Sequence, residues 1–140
     1  MSQQQNIAAT ERFGEAANNA QLGPFREIIA PNFVDHDPAP GQEPGPDGLI
    51  QFHEKLRAAF PDLSVTVEQM VADDDNVAIA YTIAGTHEGK FMGIPPTGRP
   101  VKARGMQVSR FQNGQIVERW ESSDELGILQ QIGAFPPPPG

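Results

Sequence analysis

Two carboxylates close in sequence and three scattered histidines are the side chains of this 140-residue chain best suited to moving protons. Glu121 follows Trp120, the only tryptophan, on what reads as a terminal strand. In an apolar pocket its carboxyl would be pushed up from the ordinary value of about 4.3 towards neutrality, where it serves as a general base. The plainer reading is a solvated glutamate at a strand end. Asp124 stands where it can cap a helix through the amide of the second or third helical residue, a structural role compatible with a chemical one. His36, between Asp35 and Asp37, is either a site residue at a pocket rim or a solvent-facing turn histidine. His53 falls inside an apolar helical stripe, so its imidazole should face inward. His87, beside Glu88 at a strand end, reads as solvated. None of these has metal-ligand spacing such as H-E-x-x-H, so no metal is expected. The chain has no cysteine, which removes thiolate nucleophiles, thiolate metal ligands and disulfides together.

The elements that must position these residues follow from periodicity. Residues 4 to about 19 carry Ile7, Phe13 and Ala17 at a loose helical spacing, ending near Asn18 and Asn19. Pro24 to Ile29 reads as a short second helix stopped before Pro31, and residues 32–37 as a short extended piece running into the proline-rich loop at 38–46. Asp47 is placed to cap a third helix, in which Leu49, Phe52, His53, Leu56 and Phe60 form one face before Pro61 stops it. From Leu63 the period becomes two. Leu63, Val65 and Val67 are followed, across the acidic turn Asp73–Asn76, by Val77, Ile79, Tyr81 and Ile83. Residues 91–98 are a glycine- and proline-punctuated connection, shaped by turns and lacking a phosphate-loop pattern. Val101 to Phe111 and Gln115 to Ser122 form a strand pair joined by Asn113-Gly114, a strong hairpin signal, and Glu125 to Ile132 a last helix. Helices first and long strands after predict an α+β fold, a curved antiparallel sheet packed on three to four helices to make a cone. A single domain over 1–140 is expected, with its core at about 6–134 and a proline-rich tail at 135–140.

Composition narrows the partners. A formal net charge of −8 repels phosphate backbones, so nucleic acid is not expected. The start has neither a basic nor an apolar leader segment, and no stretch approaches a membrane span, so a cytoplasmic protein with no membrane partner is the expectation.

Three stretches carry a family resemblance: Asn32-Phe-Val-Asp-His-Asp37, Gly89-Lys-Phe-Met-Gly-Ile-Pro-Pro-Thr-Gly-Arg99, and the run from Gly114-Gln-Ile-Val-Glu-Arg-Trp to Gln-Gln-Ile-Gly133. In that order they resemble the SnoaL-like polyketide cyclases, over residues 6 to 134. The resemblance implies the nuclear-transport-factor-2-like cone, homodimers or higher homo-oligomers, and no cofactor. Characterised cyclases of this family close a ring by intramolecular aldol condensation with an aspartate at the end of the last strand. The matching position is Glu121, one methylene longer. Those cyclases also place a histidine on the preceding strand, matched here by Gln107, and SnoaL-like chains often have a histidine where His36 stands.

The leading expectation is therefore a cofactor-independent cyclase, or a related isomerase or lyase. Its substrate would be a small hydrophobic keto compound, such as a polyketide-like aromatic or a keto ester. Glu121, Asp124 and His36 are the catalytic candidates, with His36, His53 or Gln107 positioning the carbonyl. Phe60, Tyr81, Arg104, Met106 and Trp120 are candidate substrate contacts, the last suited to a flat polycyclic ring. Arg104 shares strand parity with Met106, and Tyr81 with Ile79, but which face is concave is open. Two other readings stand beside this one: epoxide-hydrolase-like water addition in the same pocket, and a non-catalytic small-ligand-binding or dimerisation module.

Overall fold

The computed structural model describes residues 2–135, so the segment 136–140 of the expected tail lies outside the described residues. Nine elements follow in the order α1 (Gln3–Asn18), α2 (Phe25–Ile28), β1 (Ile29–Asp35), α3 (Gly45–Ala59), β2 (Ser64–Ala72), β3 (Asn76–Thr86), β4 (Pro100–Gln112), β5 (Gln115–Ser123) and α4 (Glu125–Gln131). The strands form one curved open sheet in the order β1-β5-β4-β3-β2. Helix α1 lies over β2 and β3, α3 over β1, and α4 against β4. This is the expected α+β architecture. Among the described residues no helix is long and apolar enough to cross a membrane.

Local chemistry explains the turns. Asp73 closes the β2–β3 hairpin by accepting from the amides of Asp75 (2.9 Å) and Asn76 (2.8 Å), bonds that hold its carboxyl below the usual carboxylate range. The β4–β5 hairpin turns at Asn113 and Gly114, whose φ angles of 53° and 78° are the left-handed pair a tight primed turn requires.

Two expectations change at the first strand. The short second helix ends at Ile28, and the extended piece begins at Ile29 instead of Asn32. Pro31 is tolerated because β1 is an edge strand whose register is irregular between Ile29 and Val34. This strand also pairs parallel to β5, so the sheet is antiparallel everywhere except at that edge. Asp47 does not cap α3. Pro44 occupies the cap position, and Asp47 in the first turn pairs instead with Arg26 at 2.7 Å.

The hydrophobic core divides in two. One cluster gathers Phe13, Phe25, Ile28, Phe33, Leu49 and Phe111, and the other gathers Phe60, Leu63, Ile83, Val101, Ile128 and Ile132. Arg57 ties the helices to the sheet between them. Its guanidinium donates to the carbonyls of Ala17 (2.5 Å) and Asn18 (3.2 Å) at the end of α1 and of Leu63 (2.9 Å) before β2. Such a cation on terminal carbonyls satisfies groups the helix itself cannot.

Helix α4 enters the second cluster through Ile128, followed by Ile132 at its C-cap, and Asp124 starts it by accepting from the Gly127 amide at 2.9 Å. Asp124→Ala is expected to lower stability by roughly 0.5 to 2 kcal/mol in urea unfolding, and Asp124→Asn by much less, because asparagine still caps.

Candidate active site

Strand alternation decides which side chains reach the inside of the curve. Along β4 the buried residues are Val101, Ala103, Gly105, Gln107, Ser109 and Phe111, while Lys102, Arg104, Met106 and Val108 face out. Register then fixes the neighbours. Gln107 pairs with Glu121 and Ile79, and Gly105 with Tyr81 and Ser123. Gln107, Glu121 and Tyr81 therefore share the concave face with Arg119 on β5.

These four side chains form one hydrogen-bonded array. The Arg119 guanidinium, 6% exposed, donates from Nε to Gln107 Oε1 (2.9 Å), from Nη1 to Asp35 Oδ2 (2.9 Å) and from Nη2 to Glu121 Oε2. The Tyr81 hydroxyl donates to the other Glu121 oxygen, Oε1, at 2.6 Å. Gln107 passes the chain on, donating to Ser109 Oγ at 3.1 Å. Asp35 is sealed behind Arg119, where it also accepts from Gln42 Nε2 (3.0 Å) and the Asp37 amide (3.0 Å). Asp37 in turn accepts from the Glu121 amide at 2.7 Å, fixing the backbone that carries the carboxylate. Glu121 is thus not the lone carboxylate expected in an apolar pocket, since each of its oxygens meets a donor.

The array borders a cavity of about 160 Å³ that lies between the two core clusters. Its walls are mainly apolar, with Phe13, Phe52, Val67, Ile79, Ile83 and Phe91 among them. A second, more polar hollow shares Arg119, Glu121 and Ser123 with it and adds Asp37, Gln42 and Ser122. The carboxylate therefore stands where an apolar chamber meets a polar vestibule.

His53 joins the wall from α3, its ring edge-on to Phe13, Phe25 and Phe52 at centroid distances of 5.8, 5.1 and 5.6 Å. Burial lowers its pKa to about 3, with the Arg119 and Arg57 charges acting in the same direction. It is a neutral imidazole at physiological pH. Burial also pushes the Tyr81 phenol well above its ordinary value of 10.0, assisted by the Glu121 charge and hydrogen bond and opposed by Arg119.

The structure separates the sequence candidates. Glu121, His53, Tyr81 and Gln107 come together at the cavity. His36 and Trp120 do not. They stack on the outer face, 4.7 Å apart and 10° from parallel, and His36 Nε2 lies 2.7 Å from Glu118. Arg104 and Met106 also face outward, being one residue out of phase with Gln107. Phe60 is fully buried in the second core cluster, off the cavity wall, and Asp124 is occupied as a cap. His87 is buried and not solvated, because residues 88–99 fold over it: its Nδ1 accepts from the Thr97 amide at 3.3 Å, and Phe60 packs on its ring. The connection over it delivers Phe91 and Met92 to the cavity. Arg119 is not among the residues singled out from the sequence, although its separation of two residues from Glu121 on a strand puts both on one face.

The profile of the SnoaL-like polyketide cyclases matches residues 7–132. The chain is 27% identical over 122 residues to the nogalonic acid methyl ester cyclase of Streptomyces nogalater, covering 84% of this chain and 90% of that one. It is 26% identical over 142 residues to the aklanonic acid methyl ester cyclase DnrD of Streptomyces peucetius, covering 96% and 95%. Among solved structures, wild-type IdmH of Streptomyces antibioticus is 36% identical and superposes with a TM-score of 0.81, covering 92% of this chain and 99% of that one.

The buried imidazole has a consequence for acid stability. Folded His53 stays neutral down to about pH 3, whereas the unfolded chain binds a proton there near pH 6.5. Between those values the unfolded state holds more protons, so stability falls as pH drops from about 6.5 towards 3, by several kcal/mol in all. His53→Phe, which suits the surrounding rings, is expected to remove this contribution, and urea unfolding of both proteins across that range measures the difference.

Proposed function

We propose that this chain, which belongs to the SnoaL-like polyketide cyclase family, closes a ring on a small hydrophobic keto substrate by cofactor-independent acid–base catalysis. The observation that carries the reading is a carboxylate, Glu121, presented to a mainly apolar cavity with a donor on each of its oxygens. The substrates in the names of the two cyclase relatives, aromatic polyketide methyl esters, support a polyketide-like aromatic or keto ester here.

In the aldol closure, Glu121 takes the proton next to a carbonyl, and the freed electron pair moves onto the carbonyl oxygen. The enolate carbon then attacks a second carbonyl of the same molecule, and the new alkoxide is protonated. Apolar walls favour this step by keeping water away from the developing charge. Of the three groups considered for holding the carbonyl, His53 suits the role best. It is on the wall and neutral, with its ring set among those of Phe13, Phe25 and Phe52. Gln107 has its amide oxygen and one N–H committed to Arg119 and Ser109, and His36 lies on the other face.

Water addition to an epoxide needs an acid in addition to the base. Glu121 would serve as the base there too, so the mass of the product is what separates the two readings. A pure binding module would need the apolar walls but not a carboxylate held between two donors. The reading further takes the protein as cytoplasmic, a single domain, and a homodimer or higher homo-oligomer that covers the outer face of the sheet, where Val34, Val71, Met106 and Trp120 are exposed. Light scattering that gives only the 15.2 kDa monomer across micromolar concentrations would count against the oligomer.

A panel of small ketones, keto esters and polyketide-like aromatics tests the chemistry. Ring closure alone leaves product mass equal to substrate mass, whereas hydrolysis adds water. Glu121→Gln is expected to keep the fold, read by circular dichroism, and to lose roughly 10²- to 10⁴-fold in rate. Full turnover by the folded variant would remove Glu121 from the mechanism.

A further inference from the structure

Tyr81 is the only tyrosine in the chain, and it reaches Glu121 by an unusual route. The two residues stand on β3 and β5, with β4 between them. Register puts Gly105 directly beside Tyr81 and puts Gln107 beside Glu121, so the phenol must lie diagonally across β4 to make its bond. Gly105 leaves room for it. A Cβ at this position would collide with the hydroxyl end of the Tyr81 ring, and the backbone there has no left-handed φ to call for glycine. A glycine in the middle of a long strand gives up packing and chain rigidity, and the close approach of the phenol accounts for it.

Resting on the cyclase reading, we propose that Tyr81 is a catalytic proton donor that works as a relay with Glu121, and that Gly105 is the positioning residue that lets it do so. Glu121 takes the proton from carbon, and its O–H bond forms as the C–H bond breaks. When the enolate carbon attacks the second carbonyl, the electron pair of that C=O bond becomes an alkoxide. Tyr81 gives its phenolic proton to that oxygen, and the phenolate recovers a proton from Glu121 along the 2.6 Å hydrogen bond. Enzyme groups return to their starting state, and the net change is one proton moved from carbon to oxygen. An alkoxide is more basic than a phenolate, so the donation runs downhill. The groups facing the phenol keep it protonated at rest: burial and the Glu121 charge both oppose its ionisation, against a smaller pull from Arg119, while His53 on the opposing helix is neutral. Tyr81 is itself part of the cavity wall, beside the carboxylate it bonds.

The presence of a single tyrosine allows a test with two arms on the intact chain. In the first, which needs no substrate, tyrosinate ultraviolet absorbance is followed against pH. The wild type is expected to ionise well above a free tyrosine, and both Glu121→Gln and Gly105→Ala to ionise closer to it. A wild-type phenol that titrates like free tyrosine overturns the proposal. In the second arm, the substrate panel is run with the wild type, Tyr81→Phe, Gly105→Ala and the double variant. Tyr81→Phe is expected to lose roughly 10²- to 10⁴-fold in kcat with KM little changed. Gly105→Ala should lose most of the same factor, and it should add nothing in the Tyr81→Phe background. Undiminished kcat in Tyr81→Phe, or multiplying losses in the double variant, overturns the relay and leaves the cyclase reading standing. No turnover by the wild type on any compound overturns the cyclase reading and the relay together. If Gly105→Ala does not fold, Tyr81→Phe decides alone, because it removes one oxygen and keeps the ring.

Discussion

One buried guanidinium organises this protein. Arg119 joins a side chain of β4, a side chain of β1 and a carboxylate of its own strand, and each of its three nitrogens has a different partner. Taking such a charge out of water is expensive unless it is paired and hydrogen-bonded, and here the cost is offset by two carboxylates and an amide oxygen. The parallel edge strand belongs to the same arrangement. Asp35 pairs in register with Arg119, so β1 is fastened to β5 by backbone and side chain at once. Without the guanidinium, Asp35 and Glu121 would be left as enclosed negative charges with too few donors. Glu121 is therefore a catalytic candidate whose orientation is determined by the same bonds that hold the sheet edge in place.

Part of the apolar wall is set by different means. The connection between β3 and β4 doubles back through a pairing of Phe91 with Ile94, and its far end is pinned by buried His87. Met92 adopts a left-handed φ of 48°, a conformation that costs a non-glycine residue energy and persists only where the surroundings enforce it. The Met92 side chain lines the cavity with Phe91. The cavity is thus bounded by the polar array on the sheet together with residues of α1, α3 and this loop.

How much of this could be read from the residues alone depended on whether a local pattern carried the information. The α3 stripe, the Asn113-Gly114 hairpin and the Asp124 cap are local, and each has a period or a turn chemistry that announces it. The parallel docking of β1 is not local: it depends on a pairing across more than 80 residues, as does the Asp35 to Arg119 bond. Candidate contacts failed for a simpler reason. Trp120 and Glu121 are adjacent on a strand, as are Met106 and Gln107, and adjacent strand residues face opposite ways. Only one of each pair can line a cavity. Alternation could have halved the set, but the side that is concave follows only from the curvature of the assembled sheet. His87 looked solvated because its burial is produced by a loop that returns from ten residues further on.

The division of the core into two clusters bears on how the protein responds to heat. A fully packed interior would have side chains where the cavity lies, so the protein's own atoms do not join Phe13 and Ala17 on one side to Leu63, Ile83 and Ile128 on the other. A molecule that binds in this cavity touches both clusters at once. By mass action it stabilises the folded state by about 2.7 kcal/mol when present at a hundred times its dissociation constant. The melting temperature of the protein thereby becomes a gauge of occupancy, and compounds can be ranked by it before any reaction has been observed.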